Sequence, residues 1–399
     1  MGFEVPEHVR PIRERVRQFV EERVYPVESF LFERNHDAEG RAAMTELMDE
    51  AKREGLWALG HPKEIGGQGL PFMDYVYVNE VVGRSEQAMI ALGTHTLQDS
   101  LMLHQHASPE WRDRYLAPLV AGEIYPSFAM TEPAVASSDP TQLQTTAELD
   151  GDEWVINGHK WFTTFANRAA YTTVMVKTEQ DAPLHRSFSM IVVPTDSEGY
   201  NIVRDIPVMG MVEGHCEVIY DNVRVPRTNL LGERGEGFTI AQRRLGPGRI
   251  FHCMRWLGQA QRAFDLMCDR VNNRVAFGET LAEKQQIQVM VFDSAAEIQA
   301  CRLLTLDAAQ QMDRGEQARV EISVIKVVGA RMLHNVIDRA IQVHGAAGVT
   351  SDLPLEHMYR AARFARFVDG PDEVHRSTTA RRILRSYREG EGWDFGMRN

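Results

Sequence analysis

At 399 residues the chain exceeds what one hydrophobic core ordinarily serves, so two or three packed units are expected. Its 43% hydrophobic and 25% charged residues are the balance of a soluble globular protein and exclude a disordered or membrane-embedded class. A formal net charge of −12 excludes the basic surface that non-specific nucleic-acid binding needs, while leaving room for a local basic pocket that takes phosphates.

The first third reads as helices. In "VRPIRERVRQFVEERVYPVE" the residues Ile12, Val16, Phe19, Val20 and Val24 fall at three- and four-residue steps. "GRAAMTELMDEAKREGLWAL" places Met44, Leu47, Met48 and Ala51 on one side, and Gly55 supplies the stop. "PFMDYVYVNEVVGRSEQAMIALG" predicts one further helix. "SPEWRDRYLAPLVAGE" opens with Ser108 as N-cap and Pro109 at the first helical position.

Near residue 126 the pattern changes. "DEWVINGHKWFTT" carries Asn157-Gly158 between two strand-like runs, which predicts a hairpin there. "YTTVMVKT", "SFSMIVVPT", "YNIVRDI" and "HCEVIYDNVRVP" predict further strands. After "GERGEGF" the helical period returns in "IAQRRLGPGRIFHCMRWLGQAQRAFDLMCDRV", where Gly246-Pro247-Gly248 should bend or interrupt the helix. "EKQQIQVMVFDSAAEIQACRLLTLDAAQQMDRG", "EISVIKVVGARMLHNVIDRAIQVHG" and a last helix follow. The expected fold is mainly α with a central β domain: a helical domain over 1–125, a middle β domain over 126–238 and a helical bundle over 239–399.

The start, "MGFEVPEHVRPIRERVRQF", has no apolar signal core, and Met1-Gly2 lacks the Ser or Thr of a myristoylation signal. No run is apolar enough to span a bilayer. Cys216, Cys253, Cys268 and Cys301 have neither metal-finger nor thioredoxin-like spacing, so buried, reduced thiols and a cytoplasmic location are expected. His104 and His106, and His334 and His344, have no partner carboxylate in register, so no metal site is expected. No G-x-G-x-x-G follows a strand, and no G-x-S-x-G occurs.

Three stretches are unusually polar or small. "FAMTEPAVASSD" lets backbone N–H groups approach a ligand, with Thr131 and Ser138 beside them, or is a Pro-punctuated loop. "HKWFTT" is an aromatic pair before two threonines, or ordinary strand packing. "QVHGAAGV" is a ligand loop, or a helix C-capped by Gly345. "RFVDGPDEVHR" adds a fourth question. Asp369 before Gly-Pro and two more acids is helix-start chemistry, or a working base.

Together these segments resemble the acyl-CoA dehydrogenase family. "TEP" with "SSD", "NVRVPRTNLLGERGEGF", "NRVAFGETLAEKQQIQ", "QVHGAAGV" and "DGPDEVH" are similar to the family's signatures, in its order, over essentially the whole chain. The resemblance implies an N-terminal helical bundle, a β-barrel-like middle domain and a C-terminal four-helix bundle. It also implies FAD, an acyl-CoA substrate and α,β-dehydrogenation to a trans-2-enoyl-CoA. An electron-transfer flavoprotein would be the acceptor, and the homo-oligomer, a dimer or tetramer, would share the FAD site at its subunit interface. No nucleic-acid partner and no membrane insertion are implied.

Asp369 takes the place of the family's catalytic Glu, one methylene shorter. Phe128, Met130, Thr131, Ser138, Phe162, Thr164, Arg274, Phe277, Gln285, Gln342, Gly345 and Glu373 take the cofactor positions, with Trp161 an alternative to Phe162. Ser138, Gly246, Arg249 and Gly370 take the substrate positions. "FAMTEP", "RLGPGR" and "DGPDEVH" together resemble a subgroup that acts on 4-hydroxy- or 4-phosphoacyl-CoA. The cations Arg249, His252 and Arg255 would receive the second anion. A flavin-dependent oxidase on the same fold and a non-catalytic binding protein are the alternatives.

Overall fold

The computed structural model describes residues 3–34 and 37–395, so the Met1-Gly2 start lies outside the described residues. Helix α1, Arg10–Phe19, passes through a wide π turn at Val20–Val24 into α2, Tyr25–Arg34. Val16, Phe19, Val20 and Val24 are buried, as the periodicity predicts. The wide turn falls where Pro26 has no N–H to offer the turn before it. In α3, Ala38–Arg53, the Asp37 carboxylate accepts the Gly40 N–H at 2.9 Å. Gly55, at φ 67°, ends it with a Schellman motif: its N–H meets Lys52 O at 3.1 Å and the Leu56 N–H meets Ala51 O at 2.8 Å.

The run expected as one helix is two, α4 (Phe72–Val82) and α5 (Glu86–Ala91). Ser85 restarts the helix, its hydroxyl accepting the Gln87 N–H at 3.2 Å. Next come α6, Leu97–His106, α7, Pro109–Trp111, and, after a second π turn at Arg112–Leu116 ahead of Pro118, α8, Ala117–Ala121. Ser108 holds the N-cap position of α7 but its side chain makes no capping bond. Pro109, with its fixed φ, starts the helix alone.

Strands β1 (Tyr125–Ala129), β2 (Thr146–Asp150), β3 (Glu153–Thr164), β4 (Ala169–Lys177), β5 (Phe188–Pro194), β6 (Tyr200–Asp205), β7 (His215–Pro226) and β8 (Leu230–Leu231) form one sheet. Its order is β6-β7-β3-β2-β4-β5-β8, with β1 paired to β4. Trp154, Ile156, Val218 and Tyr220 from one end share a core with Val174, Val176, Ile191 and Val193 from the other, so the sheet curls around its inner face.

The hairpin expected at Asn157-Gly158 is absent, because both residues lie inside β3. The turn sits earlier, where Asp150 pairs with Glu153. Asn157 instead serves a register shift against β7, its side-chain oxygen accepting the Asn222 N–H at 2.8 Å. Gly158 is required by close approach: a Cβ there would lie 2.4 Å from the Thr145 methyl carbon.

Helix α9, Gly237–Asn273, continues through Gly246-Pro247-Gly248 without the expected interruption. β9 (Val275–Ala276) and β10 (Glu279–Thr280) make a tight hairpin whose central residues, Phe277 and Gly278, both have positive φ (54° and 85°). Helices α10 (Gln285–Asp313), α11 (Arg319–His344), α12 (Leu355–Phe364) and α13 (Asp372–Arg388) complete the chain.

The chain divides into two compact units. One comprises Met1–Ser29, Pro71–Ala88 and Gly246–Asn399; the other comprises Phe30–Leu70 and Met89–Leu245. In the first, α10 and α11 run antiparallel, with Arg339 meeting Ser294 and Glu297 and Asn335 meeting Glu297. There α4 and α9 touch backbone to backbone. A Cβ at Gly83 would lie 2.2 Å from Arg255 Cα, and one at Gly258 2.0 Å from Glu80 O. The second unit holds the sheet. All four cysteines are free thiols, with Cys216, Cys253 and Cys301 buried. Among the described residues no helix is long and apolar enough to cross a membrane.

Candidate active site

In the first unit the segment between α12 and α13 is held by cations acting on its main-chain oxygens. Arg249 donates from Nε and Nη2 to the Asp369 carbonyl, at 3.1 and 2.9 Å. His375 Nε2 meets the same oxygen at 3.2 Å, so that nitrogen carries the proton. The buried Lys326 ammonium donates to Ala365 O at 2.8 Å and Gly370 O at 3.3 Å. Burial holds the Lys326 ammonium and the Arg249 guanidinium below their usual pKa ranges, and Asp369 opposes that shift in both. Burial, with Arg249 and Lys326 nearby, pushes His375 down to about 4. Arg249 therefore faces inward.

Asp369 has φ 55°, a left-handed conformation that short polar side chains tolerate best after glycine. It does not cap α13, the role its composition allowed. Pro371 is the N-cap residue, and Asp372 in the first turn is held by Arg366 Nε at 2.9 Å and Arg376 at 3.5 Å. Gly370 has φ 105°, and a Cβ there would lie 3.0 Å from His375 Nε2. The left-handed pair turns the Asp369 carbonyl toward Arg249 and the carboxylate toward α9. Asp369 Oδ2 lies 3.4 Å from His252 Nε2, with side-chain exposures of 18% and 30%. His252 Nδ1 faces Arg255 Nη2 at 3.1 Å. His252 and Arg255 are thus directed at the Asp369 side. The segment brings together Asp369, Gly370 and Arg249. Gly246 lies one helical turn before Arg249, and Glu373 sits in the first turn of α13.

In the second unit the expected flavin positions gather where the segment after β1 crosses β3. Ser127 Oγ donates to Thr164 O at 2.8 Å, and Thr131 Oγ1 to Trp161 O at 2.7 Å. The Trp161 N–H returns to Thr131 O at 3.0 Å. Between Lys160 and Thr163 the pairing with β7 shifts register, and Phe162 adopts φ 52°. This bulge turns Phe162 outward, edge-on to Trp161 at 5.1 Å and beside His215 at 5.8 Å. Phe162 is the more exposed of the aromatic pair. Thr164 Oγ1 meets His215 Nδ1 at 2.9 Å. Phe128 lies under the Arg244 guanidinium at 4.5 Å, and Arg244 is paired with Asp99 at 2.9 Å. Ser138 is exposed on the following loop.

That crossing rests on a buried ion pair that sequence reasoning missed. Lys160 Nζ lies 2.9 Å from Glu132 Oε1 and 2.8 Å from Met130 O. The two side chains are 0% and 3% exposed. Glu132 also accepts the Gln144 and Thr145 N–H groups at 2.7 and 2.9 Å. Burial would raise its pKa, but Lys160 and these bonds hold it below the usual carboxylate range. The available signal was a Glu in "TEP" and a Lys in "HKW", two charges in otherwise small or aromatic surroundings. Lys326, alone in the apolar run "EISVIKVVGA", carried the same kind of signal.

A third group sits elsewhere in the first unit. Arg274, Phe277 and Gln285 surround the β9–β10 hairpin and are exposed, Phe277 at 99%. Gln342 and Gly345 end α11, which the antiparallel pairing places at the same end as the start of α10. Gly345 does C-cap that helix, donating to Gln342 O and Ile341 O. This group is not near Asp369: Arg249 and Arg274 are separated by 25 residues of α9 (274 less 249), roughly 38 Å along the axis.

The arrangement matches known proteins. The description "Acyl-CoA dehydrogenase, N-terminal domain" fits residues 6–123, the middle domain of the same name 127–223, and the C-terminal domain 235–384. "Probable acyl-CoA dehydrogenase FadE2" of Mycobacterium tuberculosis is 45% identical over 96% of this chain and 97% of its own. Mouse "Acyl-CoA dehydrogenase family member 10" is 41% identical over 95% of this chain, which spans 37% of that longer protein. The chain likewise spans about half of the vertebrate and plant relatives it matches. A solved acyl-CoA dehydrogenase from Geobacillus kaustophilus superposes with a TM-score of 0.86 at 26% identity, covering 95% of this chain and 98% of its own. On these matches the chain belongs to the acyl-CoA dehydrogenase family, FAD-dependent oxidoreductases with a helical, a β and a helical segment in succession.

Proposed function

We propose that the protein converts an acyl-CoA thioester to its trans-2-enoyl-CoA with Asp369 as the base, in a chain organised as 1–125, 126–238 and 239–399. The observation that carries this reading is the inverted Asp369 backbone. Its carbonyl accepts from Arg249, while its carboxylate, 18% exposed, lies 3.4 Å from His252. The carboxylate takes the α-proton, the freed C–H pair forms the Cα–Cβ double bond, and a hydride leaves the β-carbon. FAD, when bound, supplies the acceptor for that hydride. Desolvation by substrate raises the proton affinity of Asp369, and the surrounding cations keep it ionised until then.

The side chains suit the cofactor's chemistry. Phe128, Met130 and Phe162, with Trp161 beside it, offer apolar surface for the ring, and Thr131 and Thr164 offer hydroxyls for its polar edge. Ser138 lies on the loop that follows, and Glu373, in the first turn of α13, is also assigned to the cofactor. Arg274, Phe277, Gln285, Gln342 and Gly345 would hold the adenosine and pyrophosphate end for a second copy. Their distance from Asp369 along α9 and the full exposure of Phe277 support that homo-oligomer, a dimer or tetramer. An electron-transfer flavoprotein is the acceptor we assign, and the cytoplasm the location.

The Asp369→Ala protein should purify yellow with wild-type FAD content yet lose flavin bleaching by acyl-CoA about 10³-fold or more. Wild-type bleaching would remove Asp369 as the base. Oxygen uptake at the bleaching rate without an acceptor would make the protein an oxidase instead, and a colourless protein would favour a non-catalytic role. A 4-phosphoacyl-CoA substrate is a second reading, favoured by three cations, Arg249, Arg255 and Lys326, acting on one carboxylate. Of an acyl-CoA panel, turnover of plain acyl-CoA with none of the 4-phospho compound would exclude it.

A further inference from the structure

We propose that His252 is a positioning residue for the base: with Nδ1 engaged by the Arg255 guanidinium, its Nε2–H faces the Asp369 carboxylate, orients it and keeps it ionised. This rests on Asp369 being the base. A guanidinium only donates, so the 3.1 Å contact from Arg255 Nη2 makes His252 Nδ1 an acceptor. The neutral imidazole then carries its proton on Nε2, the atom 3.4 Å from Asp369 Oδ2. A second proton would have to sit on Nδ1, against the N–H groups of Arg255. The contact therefore sets the ring as an Nε2–H donor toward Asp369.

The other charged groups around the pair make hydrogen bonds at other atoms, and Arg249, Arg255 and Lys326 act on the Asp369 carboxylate through their charge. Arg249 and His375 engage the Asp369 carbonyl, and Lys326 the Gly370 carbonyl. Asp372 is taken by Arg366 and Arg376. Glu86 accepts from Gln259 at 2.9 Å and lies 3.3 Å from His357. Tyr75 packs on Phe251 at 5.1 Å, and Cys253 is fully buried. These fix the loop and the Arg255 side, while His252 meets the carboxylate. The short Asp side chain has fewer rotamers to lose than Glu, but it also has less reach, so its orientation matters more.

The test is the pH dependence of flavin bleaching in the FAD-loaded enzyme. In His252→Ala, loss of the donor facing the charged carboxylate should raise the acid limb by about one pH unit and lower the plateau rate about tenfold. His252→Gln, whose amide donates but does not titrate, should return the limb to within a few tenths of the wild-type position. Arg255→Met frees Nδ1, so a new ionisation near the ordinary histidine value should appear. In [15N]histidine-labelled protein, the resonances lost in His252→Gln should report an Nε2–H tautomer. This reading is independent of activity and of the alanine variant's folding. An Nδ1–H tautomer overturns the proposal. So does an unshifted His252→Ala profile in a protein whose Asp369→Ala variant is inactive. If Asp369→Ala still bleaches, the base assignment itself has failed, and the two failures are thereby told apart.

Discussion

In the second unit Lys160 and Glu132 neutralise each other one to one, sealed at 0% and 3% exposure. In the first, Arg249, Arg255 and Lys326 act on the one carboxylate of Asp369, which keeps 18% exposure. Both networks hold an irregular segment, the loop after β1 in one and the segment before α13 in the other. The difference lies in what is left over. A balanced buried pair has no charge to offer and serves the fold. Three cations acting on a partly open acid suit the base proposed above.

The largest expected effect breaks the balanced pair. Lys160→Met leaves Glu132 buried without its cation and should destabilise the protein by about 3–5 kcal/mol in denaturant titrations. Adding Glu132→Gln should recover much of that loss. If Lys160→Met is neutral, the pair is not what holds the loop.

An intermediate effect separates the networks by pH. His375 belongs to the Asp369 side, with its pKa depressed from 6.5 to about 4. A depressed histidine is neutral in the fold while the unfolded chain takes up a proton. Its stabilising contribution is complete above 6.5 and is lost as pH falls toward 4. At pH 5 the loss is about 2 kcal/mol. His375→Gln should flatten the acid slope of stability by that amount. An unchanged slope would mean the histidine is already protonated in the folded protein.

The smallest effect sharpens the contrast between a site within one chain and a surface awaiting another. Phe277, 99% exposed, should tolerate Phe277→Ser with less than about 0.5 kcal/mol of stability lost. The same change should make the enzyme shed FAD and subunits on dilution in gel filtration. Full retention of both would argue against the hairpin's role in a second copy's cofactor site.

Much of the fold was legible because burial follows local period. Val16, Phe19, Val20 and Val24, and Met44, Leu47, Met48 and Ala51, are buried as their spacing predicts. The failures share a cause. Asn157-Gly158 carries turn chemistry, but a distant Thr145 and Asn222 decide what those residues do. The helix expected from residue 71 breaks where Ser85 caps a new start. The candidate site divides in the same way. Its motifs flag residue types, whereas the clamp on Asp369 joins residues 44 to 120 positions apart, such as Lys326 with Gly370 and Arg249 with Asp369. Local pattern carries no information about such pairings. His375 stood in the motif "DGPDEVH", but its contact with the Asp369 carbonyl exists only in the folded chain.

The glycine crossing of α4 and α9 has a kinetic consequence. With Gly83 against the Arg255 backbone and Gly258 against Glu80, α9 has no slack to slide or roll. The Arg255 guanidinium therefore starts from a fixed point, and so does the imidazole it orients. On the proposed mechanism, the entropy of aligning the acid with a C–H bond would be lost during folding rather than at each turnover. A single alanine at either glycine would drive the two backbones apart and shift the Arg255 anchor, so on the proposed mechanism a fall in stability should come together with slower flavin bleaching.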